Sequence, residues 1–257
     1  MTKFMAIVSA EKGAGRTTVA LNLGAALSAL GKDVIVMDAS VENPSVSSYL
    51  GARDVPVHLH DALDGRSHVR DAIYRHPSGL KIIPASPLRH HSTIDLGRFP
   101  DIILDLVGSA ELVIMDTSPG LGKETEAVVH AASEALVVAR PDMRSITEAI
   151  RTIRAVGNTR CTMIGVVANR VGRSKGEVPI QKMERILDHP VIVEIPEDGR
   201  MQRAHALKHP LAYTHPRSPA SRGYRRLATL VYGEQFGKEF PEDRSMLHGI
   251  LRFVGLG

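Results

Sequence analysis

Cysteine is almost missing from this chain, with Cys161 the single example in 257 residues. That excludes an internal disulfide framework and any multi-cysteine metal cluster built by one chain. Long apolar runs are missing too. No stretch approaches the roughly 20 residues that cross a bilayer. The apolar segment Phe4–Val8 is too short for a secretory signal, and no cleavage pattern follows it. A cytoplasmic location is therefore expected. No internal repeat and no low-complexity segment is evident. No Gly-x-Ser-x-Gly string occurs, so Ser-His-Asp chemistry has no nucleophile motif. Of the 12 histidines, His58 and His60 alternate on an extended segment and His90 and His91 are adjacent. Neither pair has the Cys or carboxylate companions of a known metal-site spacing, and both read as surface or capping residues.

What is present is a soluble globular composition, 43% hydrophobic and 23% charged, on a length that suits one large doubly wound α/β domain. The net charge is +4 and the pI about 9.3. Much of the excess falls late, in Arg200, Arg203, Lys208, Arg217, Arg222, Arg225 and Arg226. Such a patch is either a solvated basic face or a surface for nucleic acid or anionic membrane.

Lys3–Ser9 is short, apolar and β-rich, and a glycine-containing turn follows it. Thr17–Leu30 carries apolar residues at helical spacing and ends at Gly31. Val34–Met37 is a second apolar run, ending at Asp38. Leu80–Pro84, Leu112–Met115, Ala135–Ala139, Met163–Ala168 and Val191–Ile195 read as buried strands. Helices are expected near Phe99–Val107, Glu124–Ala132, Ser145–Val156 and Ile180–Leu187. An ordered loop over His209–Ser221 should lead to a last helix, Pro219–Tyr232. Near-continuous apolar strands alternating with helices predict a mostly parallel sheet covered on both faces, with ligands at the carboxyl ends of its strands. Residues 1–233 form one expected domain, and 234–257 a charged linker with a short apolar tail.

Ser9-Ala10-Glu11-Lys12-Gly13-Ala14-Gly15-Arg16-Thr17-Thr18 joins the first strand to the first helix. Backbone N–H groups in such a loop, with the helix N-terminus, make an anion site. Gly13 and Gly15 permit close approach to phosphate, Arg16 offers a cation, and Thr17 can place a hydroxyl on Mg²⁺. A strict phosphate-loop string fails here, because Ala10 stands for its first glycine and Arg16 for its lysine. The segment nevertheless resembles the deviant phosphate loop of the MinD/ParA ATPase family. Asn22-Leu23-Gly24 and Gly31 to Ala39 resemble that family's first helix and second strand. Asp116-Thr117-Ser118-Pro119-Gly120-Leu121 is similar to its metal-side strand end and second switch. Gly165 to Arg170 resembles its adenine-side strand, Ile195-Pro196-Glu197-Asp198 the loop over the base, and Ser218-Pro219-Ala220 with Tyr224 the end of the domain.

The resemblance implies ATP or ADP with Mg²⁺ as ligands, and a homodimer. It places Gly13, Ala14, Gly15, Arg16, Thr17 and Thr18 on the phosphates, and Thr17 and Asp116 at the metal, the latter through water. Asn169, Arg170, Pro196 and Glu197 fall at the base, and Asp38 beside the metal and the γ-phosphate. It also shows three departures. The family's dimer-crossing lysine falls on Glu11, with Lys12 the neighbouring substitute as a dimer contact; Arg16 is longer and forked where an ammonium is usual; and Ser40 replaces a water-positioning aspartate. Each such loss commonly costs roughly a hundred- to a thousandfold in rate, so slow or absent hydrolysis is expected. Lys12 and Glu42 are the residues placed to compensate. Met246 to Val254 gather apolar side chains on one arc, resembling the amphipathic tail with which MinD proteins touch membranes. The implied function is a dimerising positional switch, as in cell-division site placement, recruiting a membrane or protein partner. A ParA-like grip on DNA in chromosome partitioning and an ATP-dependent enzyme of the same superfamily are the alternatives.

Overall fold

The computed structural model describes residues 2–52, 54–87 and 94–232. In chain order the elements are β1 (Lys3–Val8), α1 (Arg16–Ala29), β2 (Val34–Asp38), α2 (Val46–Leu50), α3 (Leu59–Leu63), β3 (Tyr74–Arg75), β4 (Lys81–Ile83), α4 (Phe99–Leu106) and β5 (Leu112–Asp116). There follow α5 (Lys123–Ala131), β6 (Glu134–Ala139), α6 (Met143–Gly157), β7 (Thr162–Val171), α7 (Ile180–Leu187), β8 (Val191–Pro196), α8 (Arg200–Ala206), α9 (Leu211–Thr214) and α10 (Pro219–Tyr232). The strands lie in the order β3-β4-β2-β5-β1-β6-β7-β8. All neighbours pair in parallel except the short edge strand β3, which is antiparallel to β4.

Period-two alternation divides the apolar residues between two cores. In β1, Phe4, Ala6 and Val8 face one side, with α3 to α7. Met5 and Ile7 face the other, with α1, α2 and α8 to α10. A strand buried on both faces can be apolar at every position, which is why these runs read as continuous. Helix α1 is buried nearly all round, from Val19 to Leu27, because the sheet lies on one flank and α9 and α10 on the other.

Gly24 lets α1 sit this close to the sheet. A Cβ there would lie 2.6 Å from Val36 Cγ2 and 3.1 Å from Leu80 Cδ1. Valine is short and stiff, so the helix would have to lift. Gly24→Ala is expected to cost about 1–3 kcal/mol, read as a lower urea midpoint with an unchanged slope.

The strands and helices expected from the sequence are present, most with ends displaced by one to three residues. Among the strands and α-helices of the described residues, five went unread: the strand β3 and the helices α2, α3, α8 and α9. All are five residues or fewer except α8, with seven, and so carry little periodicity. The expected loop over His209–Ser221 contains α9. β7 runs further than expected, to Val171, so Asn169 and Arg170 belong to the strand itself. The tail segment 246–254 lies outside the described residues.

Candidate functional site

The parallel strands end together along one edge. There β1 delivers the glycine loop, β2 Asp38, β5 Asp116, β6 Arg140, β7 Asn169 and Arg170, and β8 Pro196. The chain runs from β1 to β2 on one flank and returns to β6 on the other, so the crevice opens beside β1.

Gly13 and Gly15 both take the left-handed conformation, at φ 86° and 100°. Gly15 also has no room for a side chain, since a Cβ would lie 2.2 Å from Asn169 Nδ2. That amide donates to the Ala14 carbonyl at 2.8 Å, tying β7 to the loop. Helix α1 begins at Arg16, so its first amides have no partner within the helix and face the loop. This is the anion-binding end of a 14-residue helix.

Two carboxylates stand side by side under the loop, because β2 and β5 register Asp38 opposite Asp116. Both are fully buried. Asp38 Oδ2 accepts from the Ser45 and Val46 amides at 3.0 and 2.9 Å. Asp116 Oδ2 accepts from Thr17 Oγ1 at 2.6 Å and from Ser45 Oγ at 3.0 Å. The second oxygen of each, Asp38 Oδ1 and Asp116 Oδ1, has no hydrogen-bond partner. Burial, and then the charge of Asp116, hold Asp38 well above the usual carboxylate range. Burial raises Asp116 as well, opposed by the Arg16 guanidinium and by the Thr17 and Ser45 hydroxyls. Two unsatisfied hard oxygens beside a threonine hydroxyl and a helix N-terminus fit a magnesium ion, which takes one or two carboxylates and otherwise water and phosphate oxygens. Among the described residues no group of three or more His, Cys, Asp or Glu side chains could hold a metal without such help.

Arg16 turns back into its own loop. Nε donates to the Thr117 carbonyl at 3.1 Å, and Nη1 to the carbonyls of Ser9 and Glu11 at 2.9 and 3.1 Å. Burial lowers its pKa while Asp116 supports its charge. The guanidinium thus laces the loop to the segment after β5 and leaves Nη2 as its remaining donor. Glu11 is buried and does not face solvent. Arg140 holds its carboxylate from both Nε and Nη2, and Nε also lies 3.4 Å from Asp142. The Ala10 amide donates to Thr152 Oγ1 of α6 at 2.9 Å, so the loop is anchored sideways as well. Lys12 is exposed at the loop's outer rim.

A cavity of about 270 Å³ opens beyond the loop, lined by Thr18, Asn169, Arg170, Pro196, Glu197 and Tyr224 among others. Arg170 adopts a left-handed backbone at φ 59°, and its Nε lies 3.9 Å from Glu197. Tyr224 Oη is buried there without a hydrogen-bond partner.

Gly13 to Thr18, Asp38, Asp116, Asn169, Arg170, Pro196 and Glu197, the nucleotide and metal candidates of the sequence, lie on this edge. Sequence reasoning missed Ser45, Arg140 and Glu124. Ser45 could have been found as a residue of helix-cap type before Val46–Leu50. Arg140 stands at the foot of a strand just before Pro141, and Glu124 in the first turn of α5. Nothing in their spacing marks either.

Phosphate-cradling turn, strand-end carboxylates and side cavity together define a nucleotide-binding α/β domain of the phosphate-loop class. Residues 5–211 match the family described as the CobQ/CobB/MinD/ParA nucleotide binding domain, and the chain belongs to that family. An uncharacterized ATP-binding protein of Methanocaldococcus jannaschii is 32% identical over 93% of this chain and 91% of its own length. The antiactivator FleN of Pseudomonas aeruginosa is 29% identical over 88% of this chain and 85% of its own. The septum site-determining protein MinD of Pyrococcus horikoshii, solved with Mg-ADP, superposes with a TM-score of 0.84 at 29% identity, covering 89% and 95% of the two chains.

Proposed function

We propose that this chain binds ATP with Mg²⁺ in the loop after β1, hydrolyses it slowly, and pairs with a second copy when the triphosphate is bound. The paired state would recruit a protein partner or a membrane surface, as a positional switch in cell-division site placement or a related spatial task. The observation that carries this reading is the pair of unpartnered oxygens on Asp38 and Asp116 beside Thr17 Oγ1, an arrangement with no role in a chain that never meets a cation. Gly13 to Thr18 would wrap the phosphates, and the cavity between Asn169 and Glu197 would take the base. Slow hydrolysis follows from the state of the loop. Arg16 spends Nε and Nη1 on backbone carbonyls and keeps only Nη2 for a phosphate, and Glu11, turned inward on Arg140, offers no cation there.

Binding to DNA has less support. Several late basic residues use their donors locally: Arg200 on Asp198, Arg222 on the Arg217 carbonyl and Arg225 on the Pro216 carbonyl. Among the described residues no helix is long and apolar enough to cross a membrane. Calorimetric titration with ATP, ADP and a non-hydrolysable analogue, with and without magnesium, tests the reading. Saturable heat that depends on magnesium is expected. Silence with every purine triphosphate refutes the switch.

A further inference from the structure

Three polar side chains join the two segments that follow β2 and β5, and the nucleotide reading above leaves them without a task. Ser40 Oγ lies 2.8 Å from Ser118 Oγ, and Ser118 Oγ donates to Glu124 Oε2. All three residues are buried, Glu124 at 4% exposure. The other carboxylate oxygen, Glu124 Oε1, accepts from the Glu42 amide at 2.9 Å. Two hydroxyl protons serve three contacts along this line. Ser118 has one hydroxyl proton and gives it to Glu124, while Ser40 gives its own to the Asn43 carbonyl at 2.9 Å and donates to Ser118 once that proton turns.

Its position matters as much as its polarity. Ser40 stands two residues beyond Asp38, Ser118 two beyond Asp116, and those aspartates pair across the strands. Arg16 reaches the Thr117 carbonyl next to Ser118. The hydroxyl line therefore starts two residues beyond the paired strand-end carboxylates, and it ends on a carboxylate in α5.

We propose that Glu124 is the final proton acceptor for nucleotide hydrolysis, reached through Ser118 and Ser40, and that it supplies the carboxylate absent at position 40. This rests on the nucleotide reading of the site. As water oxygen bonds to the γ-phosphorus, the bond from that phosphorus to the bridging oxygen breaks and the diphosphate leaves. The water proton passes to Ser40 Oγ, the Ser40 proton turns from the Asn43 carbonyl to Ser118 Oγ, and the Ser118 proton passes to Glu124 Oε2. The carboxyl group returns it to solvent when phosphate departs. Burial raises the Glu124 pKa, opposed by the Ser118 hydroxyl and the Glu42 amide; Glu42 is the charged neighbour and adds to the rise. A carboxylate held this way accepts a proton readily. Glu124 acts through two hydroxyls and is a positioning residue in the strict sense.

Glu124→Gln keeps the shape and an acceptor for the Glu42 amide, and removes only the basic group. Single-turnover hydrolysis of radiolabelled ATP should fall roughly a hundredfold or more, the range general-base catalysis supplies. The acidic limb of the pH–rate profile should vanish with it. Calorimetric affinity for a non-hydrolysable analogue should change less than about threefold, and the melting temperature should hold or rise, since a costly buried charge is gone. Ser118→Ala should lower turnover in the same way at unchanged affinity. Parent-like turnover in Glu124→Gln overturns the proposal, as does a parent chain that binds ATP and never hydrolyses it. A fall in turnover matched by lost binding and a lower melting temperature overturns it too, by making Glu124 a structural latch. Failure of the parent to bind any triphosphate refutes instead the reading of the site on which it rests.

Discussion

Asp38→Asn is expected to make the nucleotide-free protein more stable at neutral pH while weakening magnesium-dependent nucleotide binding. Asp38 and Asp116 are buried next to each other, each with one oxygen unsatisfied, and burial pushes both pKa values up. A carboxyl whose pKa is raised by folding stabilises the fold fully below its unfolded value, near 3.9, and that contribution is lost as pH rises through the folded value. The wild type should therefore lose stability relative to Asp38→Asn as pH climbs from about 4 toward neutrality. Melting curves across that window read the difference directly, at roughly 2–4 °C for each kcal/mol recovered in a chain of this size. Magnesium with nucleotide should reverse the order of the two proteins, because the cation discharges the pair in the wild type. Affinity for the magnesium nucleotide should drop roughly 10- to 100-fold in the variant, as when a group that orders a metal's waters is removed. Equal melting temperatures at every pH would show that the pair is not strained.

Arg140→Gln is expected to do more damage than the double substitution that also changes Glu11→Gln. Removing Arg140 strands a carboxylate whose side chain is 4% exposed, whereas removing both partners leaves two neutral amides able to bond to each other. The arginine itself is 27% exposed and partly screened by water, so the single change should cost about 1–3 kcal/mol, less than a fully interior pair. Urea unfolding of both single variants and the double one gives the coupling, expected at about 1 kcal/mol or more. Nucleotide affinity should track it, since Glu11 lies in the loop and its carbonyl also receives Arg16. Additive effects would show that the ion pair is incidental.

The α/β order could be read because buried parallel strands announce themselves: Leu112–Met115 and Ala135–Ala139 are apolar at every position, and a helix such as α6 instead buries one face at a period near 3.6. The position of the loop and of Asp38 and Asp116 followed from strand ends. What could not be read was the partner of each charged side chain. Glu11 looks in sequence like a repulsive intruder among phosphate ligands, and only the meeting of β1 with β6 sets it against Arg140. Arg16 looks like a free cation, yet its length lets it fold back onto the Ser9 and Glu11 carbonyls. Glu42 reads in sequence as the spare carboxylate near Ser40. It is exposed, and Glu124, 84 residues beyond Ser40, reaches the place instead. Short elements such as α2 and α9 are set by tertiary contacts, with too few residues to show a period of their own.

Helix α1 has consequences for how the chain is made. Its outer flank is closed by α10, which begins roughly 190 residues further along. At about 5–20 residues per second, synthesis of that stretch takes roughly 10–40 s, far longer than helix formation. During that interval Leu21, Leu23 and Leu27 have a sheet growing on one side and no cover on the other. The nascent protein is thus committed to finishing before it can fold, and a ribosome stalled before Pro219 would hold a sticky, half-roofed intermediate suited to chaperone capture.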